Sequence, residues 1–274
     1  MGKIVFFDID GTLVTPTNHL PESTKMGIRL LKENGHVPVI STGRPPEMLR
    51  AVAEELAIEN YISMNGQHIV ADGEVLYTNP LPTDLLEELI EESYKQGDRA
   101  FLQTEDEVIG NTFMAEMMDP DFLTYVYTHL VELDDEVTLK LFKHMSEKPL
   151  PRIRYENKDV LIAYLHTDET KDTFYQKRFP DLHITRATPV LGEALMKGSH
   201  KATGMQKILE HFDLNQSQSV AFGDSLNDIE MLEFANVGVA MGNGRDELKA
   251  VADYVTADVT EDGIYKGLKK LELI

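Results

Sequence analysis

The chain contains no cysteine and no tryptophan, and it has little positive charge: 26 Lys and Arg residues stand against 47 Asp and Glu residues, for a net charge of −21. Without cysteine there is no disulfide framework, no thiolate metal site and no cysteine nucleophile. The excess of negative charge opposes binding to the phosphate backbone of nucleic acids and to anionic lipid surfaces, so we expect no nucleic-acid and no membrane partner.

Long hydrophobic runs are also missing at the N-terminus. The first apolar run covers only Ile4 to Phe7 before Asp8 interrupts it, whereas a signal peptide needs about 7–15 apolar residues and a membrane span about 18 or more. Phe6 also stands where an N-myristoylation signal has Ser or Thr. We therefore expect a cytoplasmic protein.

Both flanks of the chain alternate short apolar strands with amphipathic helices. The first flank predicts strands at 4–7, 37–40 and 61–64 and helices at 21–34 and 46–56. The second flank predicts helices at 201–212 and 226–234 and strands at 220–222, 237–240 and 254–255. This alternation is typical of an α/β protein with a doubly wound, Rossmann-like parallel sheet.

The middle of the chain has a different pattern. Pro80 and Pro82 interrupt it, and an acidic helix with a leucine stripe, a long helical stretch over 120–145, a helix over 169–178 and strands at 160–165 and 183–186 follow. We therefore predict two domains, an α/β core of residues 1–82 and 188–274 and an inserted α+β domain of residues 83–187.

Two aspartates lie where the first strand ends, in the segment Asp8-Ile9-Asp10-Gly11-Thr12. Residues two apart on a strand point to the same side, so both carboxylates can converge at the carboxyl end of the sheet, where open α/β folds bind ligands. Carboxylates held this close need a cation or a shared proton, and their hard oxygens suit Mg²⁺. For a lone D-x-D, an Asx turn that ends a strand is the better explanation.

A second acidic segment follows the strand predicted at 220–222. Asp224 and Asp228 are four residues apart and share a face if a helix begins at once, with Asn227 between them. The alternative is purely structural, with Asp224 or Ser225 as a helix N-cap and Asp228 as a first-turn acid.

Two further segments offer what a phosphate group needs. Thr42 and Gly43 follow the second strand and provide a hydroxyl and backbone N–H groups beside a helix start. Lys201 opens a helix, where a cation fits the helix dipole poorly and therefore calls for another partner. Lys197, four residues earlier, is the rival candidate.

The chain resembles the haloacid dehalogenase superfamily, and most closely its Cof-type phosphatase branch, in four motifs that occur in order: DIDGT at 8–12, STGR at 41–44, a helix-initial lysine, and GDSLND at 223–228. The sequence also resembles this branch at the residue pair 65–66 and at three four-residue segments, 240–243, 252–255 and 261–264. The insertion at 83–187 falls where this branch carries a large α/β cap. One departure is that Ala202, rather than the usual Gly, follows Lys201, whereas Gly198 follows Lys197.

The resemblance implies a role for each matching residue. Asp8 is expected to be the nucleophile that forms an aspartyl-phosphate, and Asp10 the general acid and base. Thr42, Gly43, Lys201 and Asn227 are expected to bind the substrate phosphate. Mg²⁺ is expected to bind Asp8, the Asp10 backbone carbonyl, Asp224 and Asp228.

The function that this predicts is Mg²⁺-dependent hydrolysis of phosphomonoesters of small metabolites, such as sugar phosphates, phosphorylated cofactors or nucleotides. Two alternatives stay open at this point: a sugar phosphomutase, and a non-enzymatic phospho-acceptor or ligand-binding regulator. Nothing in the sequence specifies one substrate or an oligomeric state.

Overall fold

The computed structural model describes residues 2–110, 149–188 and 190–274. It divides into two compact units, one formed by Met1–Thr78 with Ser199–Ile274 and the other by Asn79–Gly198. The helix predicted over 120–145 lies outside the described residues. Within those residues, no helix is long and apolar enough to cross a membrane.

The elements are numbered here in chain order. The strands are β1 (Ile4–Phe7), β2 (Val37–Ser41), β3 (Tyr61–Ser63), β4 (His68–Ala71), β5 (Glu74–Thr78), β6 (Arg99–Gln103), β7 (Val108–Ile109), β8 (Ile162–His166), β9 (Leu182–Thr188), β10 (Leu191–Met196), β11 (Ser219–Gly223), β12 (Val237–Ala240) and β13 (Tyr254–Val255). The helices are α1 (Glu22–Glu33), α2 (Pro46–Leu56), α3 (Thr83–Lys95), α4 (Asp172–Arg178), α5 (Lys201–His211), α6 (Ile229–Phe234), α7 (Asp246–Val251) and α8 (Gly263–Lys270).

The first unit is built on an eight-stranded sheet in the order β13-β12-β11-β1-β2-β3-β4-β5. The strands from β13 to β3 run parallel, while β4 and β5 add an antiparallel edge. All four residues of β1 are fully buried, as a parallel strand covered on both faces requires. The predicted α/β class with a Rossmann-like parallel core is confirmed.

Two apolar clusters cover the two faces of this sheet. One cluster packs Phe7 and Phe222, whose ring centroids lie 5.2 Å apart, with residues of α1, α2 and α8. The other packs Phe6 and Ala221 with residues of α5 and α6. Because side chains alternate along a strand, neighbouring β1 residues serve opposite clusters and fix the strand between two helix layers.

The second unit is an antiparallel sheet in the order β7-β6-β8-β10-β9. Ala163, Leu165 and Ala194 point to one face and pack with α3 and α4 residues such as Leu89 and Tyr175. The opposite face carries Phe101 of β6, Tyr164 of β8 and Glu193 of β10, which the strand registers place side by side.

The second unit is longer at both ends than the predicted 83–187. Leu81 N donates to Val160 O at 2.7 Å, and β10 pairs with both β8 and β9. Residues 188–198 therefore belong with the second sheet, not with the α/β core to which the sequence analysis assigned them. The sequence pattern missed β10 because its residues, LGEALM, include no β-branched or aromatic side chain, the types that are enriched in strands.

Candidate active site

The ends of three neighbouring strands bring the predicted motifs to one edge of the first sheet. Phe7 of β1 is in register with Ile40 of β2 on one side and with Phe222 of β11 on the other. Asp8, Thr42 and Asp224 therefore follow adjacent strand ends. Asp8 N also donates to Phe222 O at 3.0 Å, which fixes the backbone of Asp8 beside β11.

Lys201 lies between two of the predicted acidic residues. It is the first residue of α5 and is 1% exposed, and its Nζ donates to Asp8 Oδ1 and to Asp228 Oδ1, both at 2.6 Å. Burial alone lowers the pKa of Lys201, but the carboxylates of Asp228 and Asp8 outweigh it and raise the pKa above the usual value. Lys197, by contrast, is exposed and belongs to the other unit.

Asp228 acts within its own loop as well as toward Lys201. Its Oδ2 accepts hydrogen bonds from the backbone N–H groups of Asp224 and Ser225, both at 3.0 Å, while its Oδ1 accepts from Lys201. The hydrogen bonds of Oδ2 agree with the structural alternative, in which Asp228 is an acid in the first turn of a helix. The other oxygen faces the buried ammonium group.

Asp224 is held by the DIDGT segment. Thr12, which is fully buried, donates its hydroxyl to Asp224 Oδ1 at 3.1 Å. Gly11 has φ of +79°, and a Cβ at that position would overlap the Asp224 carboxylate. A glycine is therefore required both by the backbone conformation and by the close approach of Asp224.

Asp8, Asp224 and Asp228 form a compact acidic cluster, in which one carboxylate oxygen of each lies within 4.8 Å of the others. Burial raises the pKa of Asp8 well above its usual value despite the opposing effect of Lys201, and Asp228 and Asp224 raise it further. Burial and then Asp228 raise the pKa of Asp224 to about 7. Mutually repelling hard oxygens, buried at Asp8 and Asp228 and half-buried at Asp224, fit a divalent cation, which would offset both effects.

Asp10 directs its side chain elsewhere. Its carboxylate is 55% exposed and accepts two hydrogen bonds from Arg44, from Nε at 2.9 Å and from Nη2 at 2.6 Å. The Arg44 side chain is 8% exposed and also donates to Asn18 Oδ1 and to Met48 O. The acidic cluster therefore does not include the Asp10 carboxylate, and Arg44 pairs with an acid.

The remaining predicted residues meet at Asn65. Thr42 O accepts from Asn65 N at 3.1 Å, and Asn227 Nδ2 donates to Asn65 Oδ1 at 3.3 Å. A Cβ on Gly43 would lie 3.3 Å from the Asn65 amide. Among the described residues, Thr42, Gly43 and Asn227 are thus linked to one another through Asn65 and make no direct hydrogen bond with the acidic cluster.

Three residues that support this region had no catalytic, metal-binding or phosphate-binding role predicted from the sequence. Thr12 binds Asp224, Asn65 joins two motifs, and Asn243 bridges Gly11 O and Val259 N at 2.8 and 2.9 Å. Asn65 and Asn243 each follow a strand of the parallel sheet. Their position after strand ends was the available signal, since that is where this fold class places ligand-binding residues.

A family model described as haloacid dehalogenase-like hydrolase matches residues 5–268. YkrA of Bacillus subtilis strain 168 is 34% identical over 274 residues, which cover 100% of this chain and 99% of YkrA. YitU of the same organism, named a 5-amino-6-(5-phospho-D-ribitylamino)uracil phosphatase, is 29% identical over 97% of this chain and 96% of its own length.

Solved structures agree with these sequence matches. The structure of the HAD subclass IIB sugar phosphatase BT4131 superimposes with a TM-score of 0.79 at 30% identity, covering 99% of this chain and 100% of that one. A structure of a Geobacillus kaustophilus protein gives a TM-score of 0.81 at 36% identity, covering 100% of both chains. The predictions of the superfamily, its Cof-type branch and an enzyme of the phosphoric monoester hydrolase class are confirmed. The chain belongs to the haloacid dehalogenase-like hydrolases.

Proposed function

We propose that the chain hydrolyses phosphomonoesters of small metabolites with the help of Mg²⁺, through an aspartyl-phosphate on Asp8. The observation that carries the proposal is the contact of the buried Lys201 ammonium with the Asp8 carboxylate at the edge of a parallel sheet. Phosphoryl transfer depends mostly on positioning and charge neutralisation. A fixed cation beside a candidate nucleophile supports both.

In the first step, an Asp8 carboxylate oxygen attacks phosphorus while the bond from phosphorus to the ester oxygen breaks. Asp10 donates a proton to the departing oxygen, which leaves as an alcohol. In the second step, Asp10 takes a proton from water, the water oxygen attacks phosphorus, and the bond between phosphorus and Asp8 breaks. Phosphate is released, and both aspartates return to their starting forms.

The other predicted residues serve binding in this mechanism. The Lys201 ammonium, the Thr42 hydroxyl, the Gly43 N–H and the Asn227 amide would bind the phosphoryl oxygens. Asp8, the Asp10 backbone carbonyl, Asp224 and Asp228 would hold Mg²⁺. The metal, when bound, neutralises negative charge on the carboxylates and on the transferring phosphoryl group.

We also propose that the second unit selects the substrate, and that the substrate is a small phosphorylated metabolite. The names of relatives support this, since YitU is named for a phosphorylated ribitylaminouracil and BT4131 is called a sugar phosphatase. YitU and BT4131 are both similar to this chain, yet their names give substrates with different organic groups. A segment other than the phosphate site is therefore expected to select the substrate.

Phosphate release from a panel of phosphomonoesters tests the proposal. We expect turnover with Mg²⁺, loss of turnover with a chelator, and no turnover by the Asp8→Asn variant. With a hexose 1-phosphate, a hydrolase releases inorganic phosphate, whereas a mutase yields the 6-phosphate. Inactivity of the wild-type protein across the whole panel with Mg²⁺ would contradict the proposal.

A further inference from the structure

Three successive residues after β3 have a left-handed backbone. Met64, Asn65 and Gly66 have φ of +49°, +52° and +94°, a region that is unfavourable for a residue with a Cβ. The three residues lie between the antiparallel strands β3 and β4, and Asn-Gly is a favoured pair in hairpin turns. That preference does not explain Met64, which is apolar and fully buried. Strain of this kind persists where the surrounding structure fixes the backbone, and it is common at functional sites.

The backbone of this turn is fixed to the segment that follows β2. Met64 N donates to Arg44 O and Asn65 N donates to Thr42 O, both at 3.1 Å. The two N–H groups therefore hold the residues on either side of Gly43, whose own N–H is proposed to bind a phosphoryl oxygen. Because φ and ψ set the direction of each N–H group, the left-handed conformation directs both donors to this segment.

The same turn packs directly on the start of α5. A Cβ on Gly66 would lie 2.5 Å from the carbonyl oxygen of His200, so the approach requires glycine. His200 is the N-cap of α5, where its ring Nδ1 accepts from Thr203 N at 3.3 Å. Lys201 is the next residue. The turn therefore contacts the segment that places the buried ammonium group.

The Asn65 side chain reaches a third segment of the site. Its Oδ1 accepts from Asn227 Nδ2 at 3.3 Å, and its amide would lie 3.3 Å from a Cβ on Gly43. The amide thus lies next to two residues that are proposed to bind phosphoryl oxygens. Through its backbone and this side chain, the turn contacts each segment that carries a proposed phosphate-binding residue.

We propose that Asn65 is a positioning residue for phosphate binding. Its side chain orients the Asn227 amide beside Gly43, and the left-handed backbone of the turn sets the separation between the segment after β2 and the start of α5. Asn65 acts through these neighbours on the phosphoryl group, which every phosphomonoester has in common, so its effect is the same for every ester. This inference rests on the proposed function and goes beyond the residues named there.

Asn65→Gly separates the side chain from the backbone. Glycine adopts the left-handed conformation without strain and keeps the N–H that binds Thr42 O, but it removes the amide that holds Asn227. We expect the urea midpoint of unfolding to stay near that of wild type. In contrast, kcat/KM for both p-nitrophenyl phosphate and glucose 6-phosphate should fall by about 10-fold, as expected for a weakened hydrogen bond to a charged group. The inhibition constant of inorganic phosphate should rise by a similar factor.

Ala57→Gly is the matched control. Ala57 also has a left-handed backbone, with φ of +49°, and it is exposed at the C-terminal end of α2. The relief of strain should raise the urea midpoint of unfolding and leave kcat/KM unchanged. Wild-type kcat/KM in Asn65→Gly would overturn the inference. So would a fall in kcat/KM that accompanies a clearly lower midpoint, which is the result expected of a purely structural turn.

A double variant tests whether Asn65 acts through Asn227. If it does, kcat/KM of Asn65→Gly combined with Asn227→Ala should be close to that of Asn227→Ala alone, whereas losses that multiply would overturn the inference. Calorimetric titration with inorganic phosphate in the presence of Mg²⁺ gives a readout that needs no turnover. Weaker binding by Asn65→Gly than by wild type is expected, and equal binding would overturn the inference. Wild type that binds phosphate but hydrolyses no ester would contradict the proposed function alone.

Discussion

The Nζ of Lys201 lies 2.6 Å from Asp8 Oδ1 and 2.6 Å from Asp228 Oδ1. One buried ammonium group therefore bridges two carboxylates that are far apart in the sequence. Asp8 follows β1, Lys201 begins α5, and Asp228 follows β11. The contact ties both flanks of the chain into one site and neutralises part of its negative charge.

Removing this ammonium group should abolish most of the activity. Lys201→Ala leaves two buried carboxylates without their cation, and we expect kcat to fall by about 100-fold or more, as for other lost electrostatic contacts to a reacting group. Lys197→Ala is the matched control and should retain near wild-type turnover, because Lys197 is exposed in the other unit. The opposite result, activity in Lys201→Ala and loss in Lys197→Ala, would show that the wrong lysine has been assigned.

Arg44 should act as a positioning residue for Asp10. Its two hydrogen bonds fix the Asp10 carboxylate, and Arg44→Lys cannot reproduce that paired geometry. We expect kcat to fall roughly 10- to 100-fold for alkyl phosphates, which need a proton on the leaving oxygen, and less for p-nitrophenyl phosphate. Arg50→Lys, at an exposed position of α2, is the control. An equal loss for both kinds of ester would argue against a role through Asp10.

Gly11 should tolerate alanine far less well than Gly73 does. Both have positive φ, +79° and +76°, but a Cβ on Gly11 overlaps the Asp224 carboxylate while a Cβ on Gly73 meets no atom within 4 Å. Gly73→Ala should therefore lower the free energy of unfolding by about 1–2 kcal/mol, the cost of placing a residue with a Cβ in the left-handed conformation. Gly11→Ala should lower the free energy of unfolding by more than this. Because it displaces the Asp224 carboxylate, it should also raise the Mg²⁺ concentration that turnover requires. Urea unfolding of both variants measures the difference in the free energy of unfolding. Equal losses in the two variants would contradict the close approach of Asp224 to Gly11.

Glu193 should make stability depend on pH. Its pKa is raised by burial from 4.5 to about 7 in the folded protein, so the folded state binds the proton more tightly than the unfolded state. The stability of wild type relative to Glu193→Gln should therefore fall as pH rises from about 4.5 to about 7 and stay level above. The total change should be about 3 kcal/mol, measured by urea unfolding across that range. A difference that does not vary with pH would show that Glu193 titrates normally.

The sequence predicted the parts of the structure that depend on local pattern. The apolar run at Ile4–Phe7 indicates a buried parallel strand, and the motifs after β1, β2 and β11 indicate which side chains meet. The Lys201 contact with Asp8 could not be derived from spacing, because it spans 193 residues. The pairing of Arg44 with Asp10 depends on side-chain direction, which a strand-end motif leaves undefined.

The second unit was harder to predict for a physical reason. Its strands pair antiparallel and in an order that differs from the chain order, so the placement of β10 between β8 and β9 is a long-range choice. Glu193 has no motif around it. Its significance depends on burial and on the absence of a donor within the described residues, and neither property can be seen in a sequence.

The measurement that tests the central claim most directly is the search for a phosphoryl group on Asp8. The Asp10→Asn variant with p-nitrophenyl phosphate and Mg²⁺ is suited to it, since that leaving group needs little protonation while the attack of water loses its base. After an acid quench, fragment mass spectra of the N-terminal peptide should locate one added phosphoryl group on Asp8, and none in the double variant that also carries Asp8→Asn. Steady turnover of wild type with no phosphoryl group on Asp8 in the trapped variant, or its appearance on another residue, would contradict the account.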